Sequence, residues 1–94
     1  MHVLTRRLGE SLIIGNDIKI TVLNICKSQI TLSVNDSQCV IVKLQESIPI
    51  RDGIIVKVVI IGKTRLKLGV EVPAGVTINR EELYKKYQMS SLNT

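Results

Sequence analysis

The sequence predicts a mainly β protein, a small antiparallel β-barrel or sandwich with one C-terminal α-helix. Three observations predict it. Ile and Val recur at alternate positions, as in Ile18-Lys19-Ile20-Thr21-Val22, and a period of two marks half-buried strands. Turn-forming residues interrupt these runs at short intervals: Gly9, Gly15-Asn16-Asp17, Asn35-Asp36-Ser37, Arg51-Asp52-Gly53, Gly62 and Pro73-Ala74-Gly75. The alternation ends near Asn79, which stands three residues before Glu82, the spacing of a helix capping box.

The elements follow in order. Strands are expected over about 2–7, 10–15, 17–26, 29–35 and 39–44, and a second set over about 53–62, 65–71 and 75–79. The segment Glu46-Ser47-Ile48-Pro49-Ile50 joins the two sets. Proline has no N–H, so Pro49 weakens any central strand there. The helix starts at an Asn79 cap. Glu81 and Glu82 lie at the positive end of its dipole, and Glu81→Lys85 and Glu82→Lys86 are favourable pairs four apart. Leu83 and Tyr87 share one face. The domain is expected over 1–88, with a flexible tail over 89–94.

A chain of 94 residues is one small domain. It buries only about 60–65% of its unfolded surface, so association is a common aid to stability. With no Trp and no Phe, the core is aliphatic. Cys26 and Cys39 read as buried thiols in a reducing cytoplasm, and the lone His2 forms no metal-ligand cluster with them. No apolar run near the start has signal-peptide or membrane-span length. The expectation is a soluble cytoplasmic protein without metal or cofactor. The net charge is +5. Residues 1–47 hold five Lys/Arg and four Asp/Glu, and residues 48–94 hold eight and four. Such a basic balance suits either solubility or an anionic partner such as nucleic acid.

The chain repeats itself. Ile18 aligns with Ile54, an offset of 54 − 18 = 36, and eight of 29 positions are identical over 18–46 against 54–82. The apolar phase agrees better than the identities, at 18, 20 and 22, at 30, 32 and 34, and at 40 and 42. A partial duplication of the strand set, 17–46 and 53–82, explains this. The same alignment sets Leu44 of the first copy against Arg80 of the second, and Asp36-Ser37 against Val72-Pro73.

Two blocks carry a resemblance: HVLTRRLGESLIIGNDIKITVL at the start and RLKLGVEVPAGVTINREELYKKYQ near the end. Together they resemble the CsrA/RsmA family of carbon storage regulators. The resemblance implies a strand-intertwined β dimer that binds mRNA at hairpin loops containing GGA, often over the ribosome-binding site, altering translation or mRNA lifetime. It also implies that RNA lies between the first strand of one subunit and the last strand of the other. Carried over by position, the RNA-binding residues are Leu4, Thr5, Arg6 and Arg7, with Val72, Pro73, Val76, Ile78 and Arg80. Small regulatory RNA is a further possible ligand. A usual member has about two-thirds this length and one set of later strands. The first copy here lacks the RNA-side residues and reads as scaffold.

The chemistry agrees. Arginine's planar fork binds phosphates and stacks on bases, and single-stranded loops offer both. Lys57, Lys63, Arg65 and Lys67 read mainly as a solvated face that adds attraction for phosphate. Enzyme readings fail on inventory. No Gly-rich phosphate loop precedes a Lys-Ser/Thr pair, and no nucleophile has a credible base. Two other readings stay open: a DNA-binding regulator of swapped hairpins, and an RNA-inactive structural or protein-binding paralogue. For assembly the sequence favours a homodimer, with a fused, monomeric pseudo-dimer as the alternative.

Overall fold

The alternation produces strands wherever it runs uninterrupted. A computed structural model describes residues 1–80, the last by its backbone. It contains β1 (His2–Arg7), β2 (Ser11–Ile14), β3 (Ile18–Ile25), β4 (Gln29–Val34), β5 (Gln38–Lys43), β6 (Ser47–Arg51), β7 (Ile54–Ile61), β8 (Arg65–Glu71) and β9 (Ile78–Arg80). They form two open antiparallel sheets. One has the order β1-β8-β7-β6, the other β5-β4-β3-β2-β9. Neither closes into a barrel. The expected helix and tail lie outside the described residues, but Asn79 and Arg80 are strand residues, opposite Ile13 and Leu12.

Even-numbered apolar residues from both sheets meet in one aliphatic core. Leu12, Ile14, Ile18, Ile20, Val22, Ile30, Leu32 and Val42 come from the five-stranded sheet, and Ile54, Val56, Val58, Leu66, Leu68 and Val70 from the other. Burying a side chain of this size stabilises by about 1.5–3 kcal/mol. The core is therefore built from both halves of the chain.

The registers repeat with the sequence. Val22 pairs with Leu32 and Val58 with Leu68, and both pairings shift at a bulge, between Val22 and Asn24 and between Val58 and Ile60. Ser11↔Thr21 and Leu12↔Ile20 recur as Ser47↔Lys57 and Ile48↔Val56. So β6 is a second copy of β2. The segment expected to be a linker is a strand, and Pro49 is accommodated because β6 is an edge.

The structure also reassigns β5. The sequence alignment sets 38–43 against the last strand. Yet β5 pairs with β4 through Gln38↔Val34, Val40↔Leu32 and Val42↔Ile30, as β1 pairs with β8 through His2↔Val70, Leu4↔Leu68 and Arg6↔Leu66. Adding 36 to 2 gives 38, and subtracting it from 70 gives 34. By pairing, β5 is a second first strand. The turns that follow agree. The Glu10 amide donates to the Arg7 carbonyl (3.0 Å) and the Glu46 amide to the Lys43 carbonyl (2.9 Å). The Arg7 and Lys43 amides donate to the carboxylates of Glu10 and Glu46. Gly9 and Gln45 both have positive φ, 83° and 68°. Leu44 therefore matches Leu8, not Arg80, and both leucines are exposed.

The cysteines correct another expectation. Both are free and exposed. Cys39 has the outward parity of β5 and Cys26 lies just past the end of β3.

Candidate nucleic-acid interface

Strand parity sorts the first strand into two rows. Leu4 and Arg6 point inward, while Val3, Thr5 and Arg7 lie on the outer row. Leu4 packs against the core. Arg6 is 3% exposed. Its Nε donates to the Thr5 carbonyl (2.7 Å) and its Nη1 to the Ser11 carbonyl (2.9 Å). Arg6 is thus a positioning residue that ties β1 to β2. It does not present its fork to solvent, unlike Arg7, which is exposed.

Across the ladder, Arg7 stands opposite Arg65 and Thr5 opposite Lys67. Arg65 and Lys67 are exposed too. Like charges directly opposite one another on a sheet are unfavourable by themselves, and an anion lying over them removes the penalty. Sequence spacing gives no sign of this pair, because Arg7 and Arg65 are 65 − 7 = 58 residues apart. The matching outer positions on β5 and β4 hold Lys43, Gln29, Ile41 and Thr31. Two of the second half's basic residues, Arg65 and Lys67, thereby join Arg7 beside one sheet edge.

The turn at Leu8-Gly9-Glu10 reverses the chain into β2, whose other neighbour is β9. Leu12 pairs with Arg80 and Ile14 with Ile78. The Ser11 carbonyl that Arg6 holds lies one residue from the Leu12–Arg80 pair. This brings the Arg6-Arg7 end of β1 to the Arg80 end of β9. Val76 and Ile78 are half-buried and pack on the core. Val72 is half-buried and Pro73 exposed. These two lie toward the His2 end of β1, beside a cavity of about 370 Å³ that His2 and Val70 also line. Five strand steps separate His2 from Arg7, about 17 Å at the usual rise. The predicted residues therefore form a strip along β1, β9 and the connection that leads into β9, rather than a single cluster. Both strands are sheet edges, so the described ladders leave backbone N–H and C=O groups along the strip.

Comparison with known proteins fits this arrangement. The model of the CsrA global regulator protein family matches the chain twice, over residues 1–42 and 39–89. The chain belongs to the CsrA family. It is a family of regulators, not of enzymes. The two matches overlap at residues 39–42, inside β5, the strand whose sequence aligns with a last strand and whose pairing is that of a first strand. A translational regulator CsrA from Desulforapulum autotrophicum is 40% identical over 50 residues, covering 53% of this chain and 62% of that protein. No solved structure matches the chain significantly. No helix among the described residues is long and apolar enough to cross a membrane, and no group of three or more metal-ligating side chains occurs among them.

Proposed function

We propose that this CsrA-family protein is a cytoplasmic post-transcriptional regulator that binds mRNA hairpins with GGA in the loop, near ribosome-binding sites. Binding there alters translation initiation, mRNA stability or both. Small regulatory RNA is a second ligand of the same chemistry. The observation that carries this reading is the Arg7–Arg65 pair beside Lys67, at the end of the edge strand β1 that Arg6 ties to β2 and so to β9. Phosphates would lie over the outer basic row. The edge backbone of β1 and β9 would read base edges, as suits an unpaired loop. Leu4, Val76 and Ile78 support those edges from beneath. Arg80 closes the strip as a charged donor.

A competition gel shift tests the proposal. The GGA hairpin should displace a labelled copy of itself, while a CCA-loop hairpin and duplex DNA should compete poorly. Arg80→Ala should weaken the complex by about 1.5–3 kcal/mol, the scale of a hydrogen bond to a charged group. Equal competition by the CCA loop would reduce the interface to unspecific electrostatics. Preference for duplex DNA would favour a DNA-binding regulator instead.

A further inference from the structure

We propose that one chain of this protein is a monomeric pseudo-dimer with a single RNA site, its second site closed by Pro49 and by the loss of arginine from β5. The proposal rests on the RNA-binding reading above for the ligand, but not for the architecture.

Within one chain, both first-strand positions are filled. β1 lies on β8 and β5 lies on β4 in matching register. Both second-strand positions are filled as well, by β2 and β6. One last strand is present, β9 on β2. The single vacancy among the described residues is the outer edge of β6, where a second last strand would lie. Beside it an open space of about 230 Å³ remains between β5 and β6, lined by Val34, Gln38, Val40, Ile48, Pro49 and Ile50. In the other half β9 occupies the matching edge of β2.

Pro49 decides what this vacancy can accept. The Glu10 and Glu46 carbonyls bond Val22 and Val58, so even-numbered backbone groups of β2 and β6 face β3 and β7. Odd-numbered groups face outward. On β2 these include Ile13, opposite Asn79 of β9, and Gly15, whose amide donates to the Thr77 carbonyl (2.7 Å). Pro49 stands where Ile13 stands, opposite Ile55 as Ile13 is opposite Lys19. A strand added to β6 would therefore lose the central donor of its ladder. Proline on an edge is a common guard against such pairing.

The vacant half has also lost the chemistry. Where β1 carries Thr5-Arg6-Arg7, β5 carries Ile41-Val42-Lys43. Val42 is fully buried, as Arg6 nearly is, but offers no fork to hold the neighbouring strand. Gln29 and Thr31 take the places of Arg65 and Lys67.

Light scattering after size exclusion and calorimetric titration with a GGA hairpin test this together. The expected mass is that of one chain, 10.5 kDa, from low to high micromolar concentration, with one hairpin bound per chain. Pro49→Ile restores the edge donor and should convert the monomer to a species whose mass rises with concentration. A mass of two chains for the unaltered protein, saturation at two hairpins per chain or at one hairpin per two chains, or a Pro49→Ile variant that stays monomeric would overturn the proposal. Absence of any hairpin binding by a chain of monomer mass would count against the RNA reading alone.

Discussion

Replacing Arg6 should unfold the protein before it affects RNA. The side chain is almost fully buried and donates to two carbonyls, those of Thr5 and Ser11. Ser11 is itself only 3% exposed, so its carbonyl cannot easily exchange Arg6 for water. Leaving a buried acceptor unpaired costs about 1–3 kcal/mol. Removing the buried methylene stem adds about 0.8 kcal/mol per group. Arg6→Ala should thus destabilise by about 3 kcal/mol, about 12–24 °C in Tm for a domain of this size. The other half supplies a control. Val42 takes the same place in β5, but there the residue matching Ser11 is Ser47, which is exposed and open to water. Arg6→Val should therefore recover the packing but lose the bonds to the Thr5 and Ser11 carbonyls, about 1–3 kcal/mol. Urea unfolding followed by far-ultraviolet circular dichroism reads the order wild type, Arg6→Val, Arg6→Ala at an unchanged slope. An Arg6→Ala midpoint equal to that of wild type would refute the positioning role.

Three further outcomes follow from the same geometry. Arg7→Ala should leave stability within about 0.5 kcal/mol, as an exposed substitution does, and should lower the salt dependence of RNA binding by about 0.7 in the log–log slope, one phosphate contact on a single strand. Leu32→Ala and Leu68→Ala remove matching side chains from the two copies and should each cost about 2–5 kcal/mol, read by thermal unfolding, whereas Leu44→Ala, at an exposed position, should cost little. Gly9→Ala meets no atom within 4 Å but must hold φ near 83°, so denaturant titration should show a loss of about 1–2 kcal/mol from the left-handed backbone alone.

Much of this fold is legible in the sequence, because period-two alternation and turn residues act locally. Eight of the nine strands overlap segments that apolar runs bounded by turn residues mark as strands. β6 is harder to read, since Pro49 marks it only as unsuited to a central position, and edge placement depends on what pairs alongside. The identity of β5 is not legible at all. Its apolar run Val40-Ile41-Val42 suits a first or a last strand equally, and only pairing with β4 decides. Among the site residues, Arg7 and the β9 strip are found from motif position. The burial of Arg6 comes from the proximity of Ser11 across a turn, and the Arg7–Arg65 pair comes from a strand contact between distant segments. Neither leaves a local signal.

The pairing of β1 with β8 also bears on how the chain acquires its fold. β2 through β5 are joined by short turns and zip up from neighbours. β1 must wait for residues 58 to 68 positions downstream, from 65 − 7 and 70 − 2. Closing a loop of that length costs about 2.4 kcal/mol more than closing a four-residue hairpin. At usual rates of translation, roughly 3–14 s pass between emergence of the first strand and of its partner. During that interval the N-terminal segment is an unpaired strand, while the hairpins behind it already have local partners. Pulse-labelled hydrogen exchange during refolding should accordingly protect the amide of Leu32 before that of Leu4.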